Sequence, residues 1–448
     1  MTYRPMCVVR APIQSASGYG EMSRDIVRHL IEYDKFDVKI DAINWGNTPL
    51  DQLKKGVPQD EVISSKIITE PLTKQPDVFI SISVPTEFSP AGRYNIGITA
   101  GIETTQASHQ WVEAMNRMDV NFVISDHSKE VFLNSKYGKK NNQTGQNMGV
   151  LQCEKPIEVL HNCVDTNVYK QTPVHELEKS VKNILDDIPE DFAYLFVGHW
   201  LKGEWGHDRK SVGLMINIFY DIFKKTMFEK KPALVLKTSK GTYSVSDREH
   251  ILTQLRELTK NIKLEEGETL PNIYLVHGDL TDSEMNSLYN HPKIKANITL
   301  TKGEGFGRPL LEASLIGKPI VVPGWSGHLD FLNKDTSILL GGDLTNIHPS
   351  CVWEGVIIPE AKWIYVDPNQ VAQAMVELYR NYKPWKVLAK KQAKENKSKF
   401  NYKAIQKETW AFLDRYIPEE IYTPAPVAPE LTLPKLKPLN LPKLKKTE

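Results

Sequence analysis

At 448 residues the chain is too long for one ordinary core, and at ~150 residues per domain it should divide into two or three. Hydrophobic residues at 40% and charged residues at 25% lie near globular averages, which excludes collagen-like, coiled-coil and wholly disordered chains. Lys plus Arg number 56 against 55 for Asp plus Glu, a net charge of +1, so no whole-chain field exists to grip nucleic acid or anionic lipid. No apolar run reaches the ~18–20 residues that span a bilayer, and the N-terminal stretch MTYRPMCVVRAPIQ lacks the apolar core of a signal peptide, so a cytoplasmic location is expected. The four cysteines (Cys7, Cys153, Cys163, Cys351) form no C-x-x-C pair, which argues against a disulfide framework or zinc knuckle.

Short Val- and Ile-rich runs alternate with longer amphipathic stretches, the pattern of parallel strands covered by helices. In the first half, strands are expected near Cys7–Ile13, Val38–Ile43, Val78–Val84, Tyr94–Ile98, Val120–Ser125 and Ile157–Val164. A polar stretch, Asp165–Asp191, reads as the connection between two domains, with a boundary near residue 170. Strands resume near Tyr194–Val197, Ala233–Lys237, Ile273–Val276, Ala296–Leu300, Pro319–Val322 and Ile338–Leu340, followed by an extended segment at Trp363–Val366. Lys399–Tyr416 spaces its aromatics, Ile405 and Leu413 for one buried helix face. Beyond it, Leu-Pro-Lys-Leu-Lys occurs at 433–437 and 441–445, and proline at this density blocks helix and sheet ladders. A disordered tail over 418–448 is expected, either a solvated terminus or a basic segment that docks a partner or touches a membrane.

The most informative stretch is TKGEGFGRPLLEASLIGKPIVVPGWSGHLD, residues 301–330. A strand runs into a loop with Gly303, Gly305 and Gly307, and a helix follows, with Pro309 just inside its start and Gly317 just past its end. A helix N-terminus after such a loop offers free N–H groups and partial positive charge to a phosphate. Glu304 and Glu312 stand about two helical turns apart, so two acceptor-only groups roughly 10 Å from each other can each chelate a vicinal diol. The same pair also fits a capping Glu and a solvated helix Glu.

The run E-G-F-G-R-P-L-L-E-A-S-L-I-G-K-P-I-V resembles the E-x7-E signature of the retaining glycosyltransferases of the GT-B fold, the group-1 or GT4-like family. PNIYLVHGDLTDSEMNSLY, FAYLFVGHWLKGEWGHDRKS and IEVLHNCVDTNVY are similar to further family segments, so the resemblance extends to about Tyr416. It implies an α/β protein with two Rossmann-like parallel-sheet domains facing a central cleft. These are an acceptor-side domain at 1–168 and a nucleotide-sugar donor domain at 169–398, with a helix at 399–417 crossing back to the N-domain. It also implies that Glu304 holds donor-sugar hydroxyls, Glu312 holds the ribose, and the amides of Gly305, Phe306 and Gly307 face the sugar and diphosphate. Arg209 and Lys210 would neutralise the departing diphosphate; the alternative is a surface basic pair. His199 stands where many relatives carry Arg, which leaves Lys237, at the end of an apolar strand, either as a substitute or pointing into water. Gly18 and Gly20, in SASGYGE, fall in the loop that closes over the donor phosphates. Glu103 is the catalytic or acceptor-facing candidate, against a helix-cap reading, while Trp325 and His328 either stack on the base or merely pack.

The expected reaction is metal-independent transfer from a UDP- or GDP-sugar, a substrate rather than a cofactor, to an acceptor hydroxyl on a glycan, lipid or protein. No D-x-D occurs to hold a metal. Two other readings stand beside it. One is a non-catalytic sugar-nucleotide binder or scaffold. The other is a nicotinamide-dependent oxidoreductase using Gly18-x-Gly20 and an acid such as Asp41.

Overall fold

The computed structural model describes residues 3–46, 48–141, 143–201, 203 and 206–424, so the Pro- and Lys-rich repeats at 433–445 lie outside the described residues. The chain opens with β1 (Met6–Ala11), β2 (Asp37–Ala42), β3 (Val78–Ile82), β4 (Tyr94–Thr99) and β5 (Val120–Val123). A hairpin of β6 (Tyr137–Lys140) and β7 (Asn147–Leu151) precedes β8 (Ile157–Val159). The second half supplies β9 (Ala193–Val197), β10 (Ala233–Lys237), β11 (Ile273–Val276), β12 (Ile294–Ile298), β13 (Ile320–Pro323) and β14 (Ile338–Leu340). An antiparallel pair, β15 (Gly342–Asn346) and β16 (Lys362–Val366), follows.

These form two six-stranded sheets, ordered β2-β1-β3-β4-β5-β8 and β11-β10-β9-β12-β13-β14, with parallel neighbours throughout. Ile67 adds a parallel bridge to Ile40 outside β2. The central strands are apolar along their length because both sheet faces are covered: AYLFV in β9 and ALVLK in β10 are almost wholly buried. In the second sheet the strand order reverses between β9 and β12. Connections leave those two strands in opposite directions, and a crevice opens at their carboxyl ends.

All thirteen expected strands are present, with shifted ends that have local causes. The strand at 120 stops at Val123 because Ser125 caps the helix Asp126–Asn134, its hydroxyl accepting from the Ser128 amide. The strand at 157 ends at Val159, while Val164 makes a separate parallel bridge to Asn401. The polar stretch 165–191 is not a bare linker: its helix Lys179–Asp186 buries Val181 and Leu185. The C-terminal helix spans Tyr402–Tyr416, capped by Asn401. It packs on helix Gly18–Tyr33, with Trp410 Nε1 donating to the His29 carbonyl at 2.8 Å and Tyr402, Lys403 and Gln406 all donating to Glu32. The chain therefore crosses back onto the first sheet after completing the second. Among the described residues, no helix is long and apolar enough to cross a membrane.

Candidate active site

The crevice beside β9 and β12 holds a compact cluster of four charged groups. The loop after β9 supplies Arg209 and Lys210, the loop after β12 supplies Glu304, and the loop after β4 supplies Glu103. Arg209 reaches Glu103 at 2.9 Å and Glu304 at 3.5 Å, and donates to the Gly303 carbonyl at 2.8 Å. Lys210 donates to Glu304. Burial alone would raise the Glu304 carboxyl, but Lys210 and Arg209 outweigh it and hold it at about 2. Glu103 is pushed up by burial and by Glu304, against the pull of Arg209. Two cations thus face two carboxylates, and the cluster is close to neutral.

Arg209 and Lys210 are not a surface pair: their side chains are 21% and 13% exposed. Glu103 caps no helix, since the next one begins at His109 behind its own cap, Ser108.

The basic pair is aimed by a lysine that sequence reasoning missed. Lys302 is fully buried, and its ammonium donates to the carbonyls of Gly206 (3.1 Å) and Asp208 (2.6 Å) and to Ser211 Oγ (2.7 Å). Its amide donates to the Arg209 carbonyl at 2.7 Å, and the Tyr365 ring lies 4.6 Å below its charge. Burial pushes Lys302 down to about 8. Loop 206–211 is therefore tied to the glycine loop directly beneath the two cations. The sequence signal was a lysine directly before the glycine loop, between the buried strand β12 and Glu304.

Glycines bring the two halves together. A Cβ on Gly303 would lie 1.9 Å from the Glu103 carbonyl oxygen, and one on Gly305 would lie 2.2 Å from that of Ala100. Only hydrogen fits at those contacts. Gly307, at φ 93°, turns the chain into helix Arg308–Leu315.

Glu312 is buried on that helix, accepting from Tyr289 OH at 3.2 Å and pairing with Arg308 at 3.3 Å. Arg308 also reaches Glu21 (3.0 Å) and Asp25 (3.1 Å) on helix Gly18–Tyr33, so one guanidinium spans three carboxylates across the cleft. Burial, with Glu21 and Asp282, pushes Glu312 up against the pull of Arg308.

The cleft between the two sheets has a volume of about 470 Å³. Glu103, Arg209, Lys210, Lys237, Gly305, Phe306, Gly307, Glu304, Glu312 and Gly18 line it, joined by His199 and Tyr243. Lys237 is buried rather than pointing into water, donates to the Gly278 carbonyl at 2.8 Å, and lies 5.1 Å over the Tyr243 ring. His199 Nδ1 sits 2.9 Å from Ser239 Oγ, and burial beside Lys210 and Arg209 lowers its pKa, leaving a neutral ring at pH 7. Gly20 does not line the cleft: it lies beneath the turn, where a Cβ would sit 2.1 Å from the Ser15 carbonyl oxygen. The Phe306 ring packs inward against Phe331 and Phe400. Neither Trp325 nor His328 is among the residues that line the cleft. Trp325 sits edge-on to His127 at 4.8 Å, and buried His328 meets the Pro323 carbonyl at 2.7 Å.

No family model matches the chain, and no curated protein matches it. Solved structures do. Anabaena HepE in complex with UDP and glucose superposes with TM-score 0.57 at 13% identity, over 92% of this chain and 100% of that one. A glycosyltransferase from Rickettsia africae gives 0.58 at 13% identity over 93% and 99%. Sucrose-phosphate synthase from Thermosynechococcus elongatus gives 0.57 at 12% identity over 92% and 98%. The fold is GT-B. In this GT-B chain the β9–β12 crevice and the Glu304–Glu312 segment are parts of one cleft.

Proposed function

We propose that the chain is a retaining, metal-independent glycosyltransferase that moves a hexosyl unit from a UDP- or GDP-sugar to an acceptor hydroxyl. The observation that carries this reading is the convergence of Arg209, Lys210, Glu304 and Glu103 at the mouth of the crevice, beside helix Arg308–Leu315. Without a donor these charges pair with one another. An entering diphosphate competes for the two cations, and the displaced carboxylates become free to accept from sugar hydroxyls. Glu312, buried and pushed up, gains from the two donors of a ribose diol.

In the reaction, the bond from the anomeric carbon to the diphosphate oxygen breaks with its electron pair going to that oxygen. The acceptor oxygen bonds to the same face, and its proton passes to the departing diphosphate. Arg209 and Lys210 stabilise the charge that grows on the leaving group, which is where fixed cations lower a barrier most. With two buried cations on the leaving group, no metal is required for that role. The described part of the chain and its expected tail suit a cytoplasmic protein, peripheral to a membrane if the Lys-rich terminus binds one.

The oxidoreductase reading lacks support at its own residues: Gly20 is spent on a packing contact, and Asp41 pairs with Arg10 at 3.4 Å outside the cleft. The binder or scaffold reading shares the cleft and differs only in turnover. Melting the protein with UDP-, GDP- and ADP-sugars and with NADH separates the three. Stabilisation by one sugar nucleotide together with diphosphate release is the expected result. Stabilisation without release across broad acceptor mixtures favours a scaffold, and stabilisation by NADH alone overturns the proposal.

A further inference from the structure

The first-sheet wall of the cleft carries an aromatic pair that the donor chemistry does not use. Tyr19 and Trp45 line the cleft with ring centroids 4.3 Å apart and planes tilted by 37°. Tyr19 is fixed: its hydroxyl lies 2.9 Å from Thr99 Oγ1 and accepts from the Ala100 amide at 3.1 Å. Trp45 rides on a loop, but that loop is fastened. Thr48 Oγ1 donates to the Trp45 carbonyl at 2.8 Å and sits 2.6 Å from Ser15 Oγ, and the Ala16 amide donates to the Pro49 carbonyl at 2.9 Å. A held aromatic face beside a polar cleft is a surface for the C–H face of a sugar ring, whose slightly positive hydrogens meet the negative face of the indole.

Polar groups that line the same cleft suit hydroxyls. Asn162 lines the cleft with a side-chain amide that has no hydrogen-bond partner among the described residues, and the same holds for Trp45 Nε1 and Gln52 Oε1. Together they offer donors and acceptors in the mixed pattern that sugar hydroxyls match. The charges on this wall point the same way. Among the described residues lining it, the charged side chains are Glu21 and Glu103, held by Arg308 at 3.0 Å and Arg209 at 2.9 Å. Among the described residues that line the cleft, the cation with no carboxylate partner is Lys237, which stands on the opposite wall and donates to the Gly278 carbonyl. A phosphate on the acceptor would find both guanidiniums that reach this wall already taken by carboxylates, which discriminates against charged acceptors.

Resting on the transferase reading above, we infer that the acceptor is an uncharged saccharide, seated with a ring face on Trp45 and its hydroxyls on Asn162 and Gln52. Phosphorylated sugars and lipid phosphates are thereby disfavoured as acceptors.

The test uses the full chain, with and without UDP, titrated with maltose, cellobiose, lactose and chitobiose. Glucose 6-phosphate, a peptide mixture and vesicles with phosphorylated lipid headgroups serve as rivals. Saturation-transfer NMR and tryptophan fluorescence report binding. At least one neutral saccharide should bind, Trp45→Ala should weaken it at least 10-fold, and Trp45→Phe should restore part of the loss. The UDP affinity of both variants should stay within twofold of wild type. Binding of none of the neutral saccharides, preference for glucose 6-phosphate, peptide or vesicle, or a Trp45→Ala variant that binds like wild type overturns the inference. Failure of the donor reading shows separately, as absence of both UDP and GDP binding by the wild type, because the saccharide titration without nucleotide still reads Trp45.

Discussion

Replacing Glu304 with Gln keeps the side chain's shape and removes the charge that Lys210 and Arg209 share. In the folded protein the carboxyl is held at about 2 against an ordinary 4.5. At ~1.36 kcal/mol per pH unit, that gap corresponds to about 3 kcal/mol of folded-state stabilisation. Because the folded value is depressed, the contribution is complete above pH ~4.5 and disappears as pH falls through about 2. Glu304→Gln should therefore melt roughly 6–12 °C below wild type at pH 7, taking ~2–4 °C per kcal/mol for a cooperative unit of ~150–250 residues. The gap should narrow below pH 4.5. The substitution also frees Lys210 and leaves Arg209 paired with Glu103 alone, so UDP should bind at least as tightly as to wild type while turnover drops at least ~100-fold. Calorimetric melting from pH 7 to pH 4, together with UDP titration, checks all three expectations. An unchanged melting temperature at pH 7, or weaker UDP binding with turnover intact, would refute the argument that Glu304 and the diphosphate compete for the same cations.

Three further expectations follow from the same contacts. Arg308→Met removes the cation shared by Glu21, Asp25 and Glu312, leaving buried Glu312 with none and Asp25 with Arg28 at 3.6 Å, and should cost about 3–5 kcal/mol in a melting experiment. Arg308→Lys should not restore it, because one ammonium cannot reproduce the guanidinium fork. Gly305→Ala would force a methyl to within 2.2 Å of the Ala100 carbonyl oxygen, so melting should show a loss of about 1–3 kcal/mol and transfer should fall with it. Lys302→Met removes the tether under Arg209 and Lys210; a displacement of ~1 Å there should lower kcat about 100-fold, and a kcat equal to wild type would refute the positioning role.

The strands of both sheets were legible because parallel strands covered on both faces read as continuous apolar runs. The β6–β7 hairpin escaped notice for the converse reason: YGKK and NMGVL are almost wholly exposed and carry Gly138 and Gly149, so no face shows a buried alternation. β15 hides similarly in GDLTN, with one apolar residue. At the site, Glu304, Arg209, Lys210 and Glu103 could be named from strand ends and a family-like segment, and the fold brings all four together. Trp325 and His328 could not be assigned, because a residue after a strand can face either the cleft or the core, and here neither lines the cleft. Lys302, Arg308, Tyr243 and the Tyr19–Trp45 pair act through partners far along the chain or on another loop, and spacing along the chain carries no record of such contacts. Gly20 illustrates the opposite error: a glycine in a phosphate-loop pattern whose requirement is the Ser15 carbonyl beneath it.

The most direct test of the central claim measures nucleoside diphosphate released from UDP- and GDP-sugars in the presence of EDTA, with neutral saccharide acceptors, by wild type and Glu304→Gln. Release by wild type that survives EDTA, yields a product with the donor's anomeric configuration and falls at least 100-fold in the variant is the predicted result. Release that needs a divalent cation, inverts the anomeric centre or persists in Glu304→Gln would contradict the account.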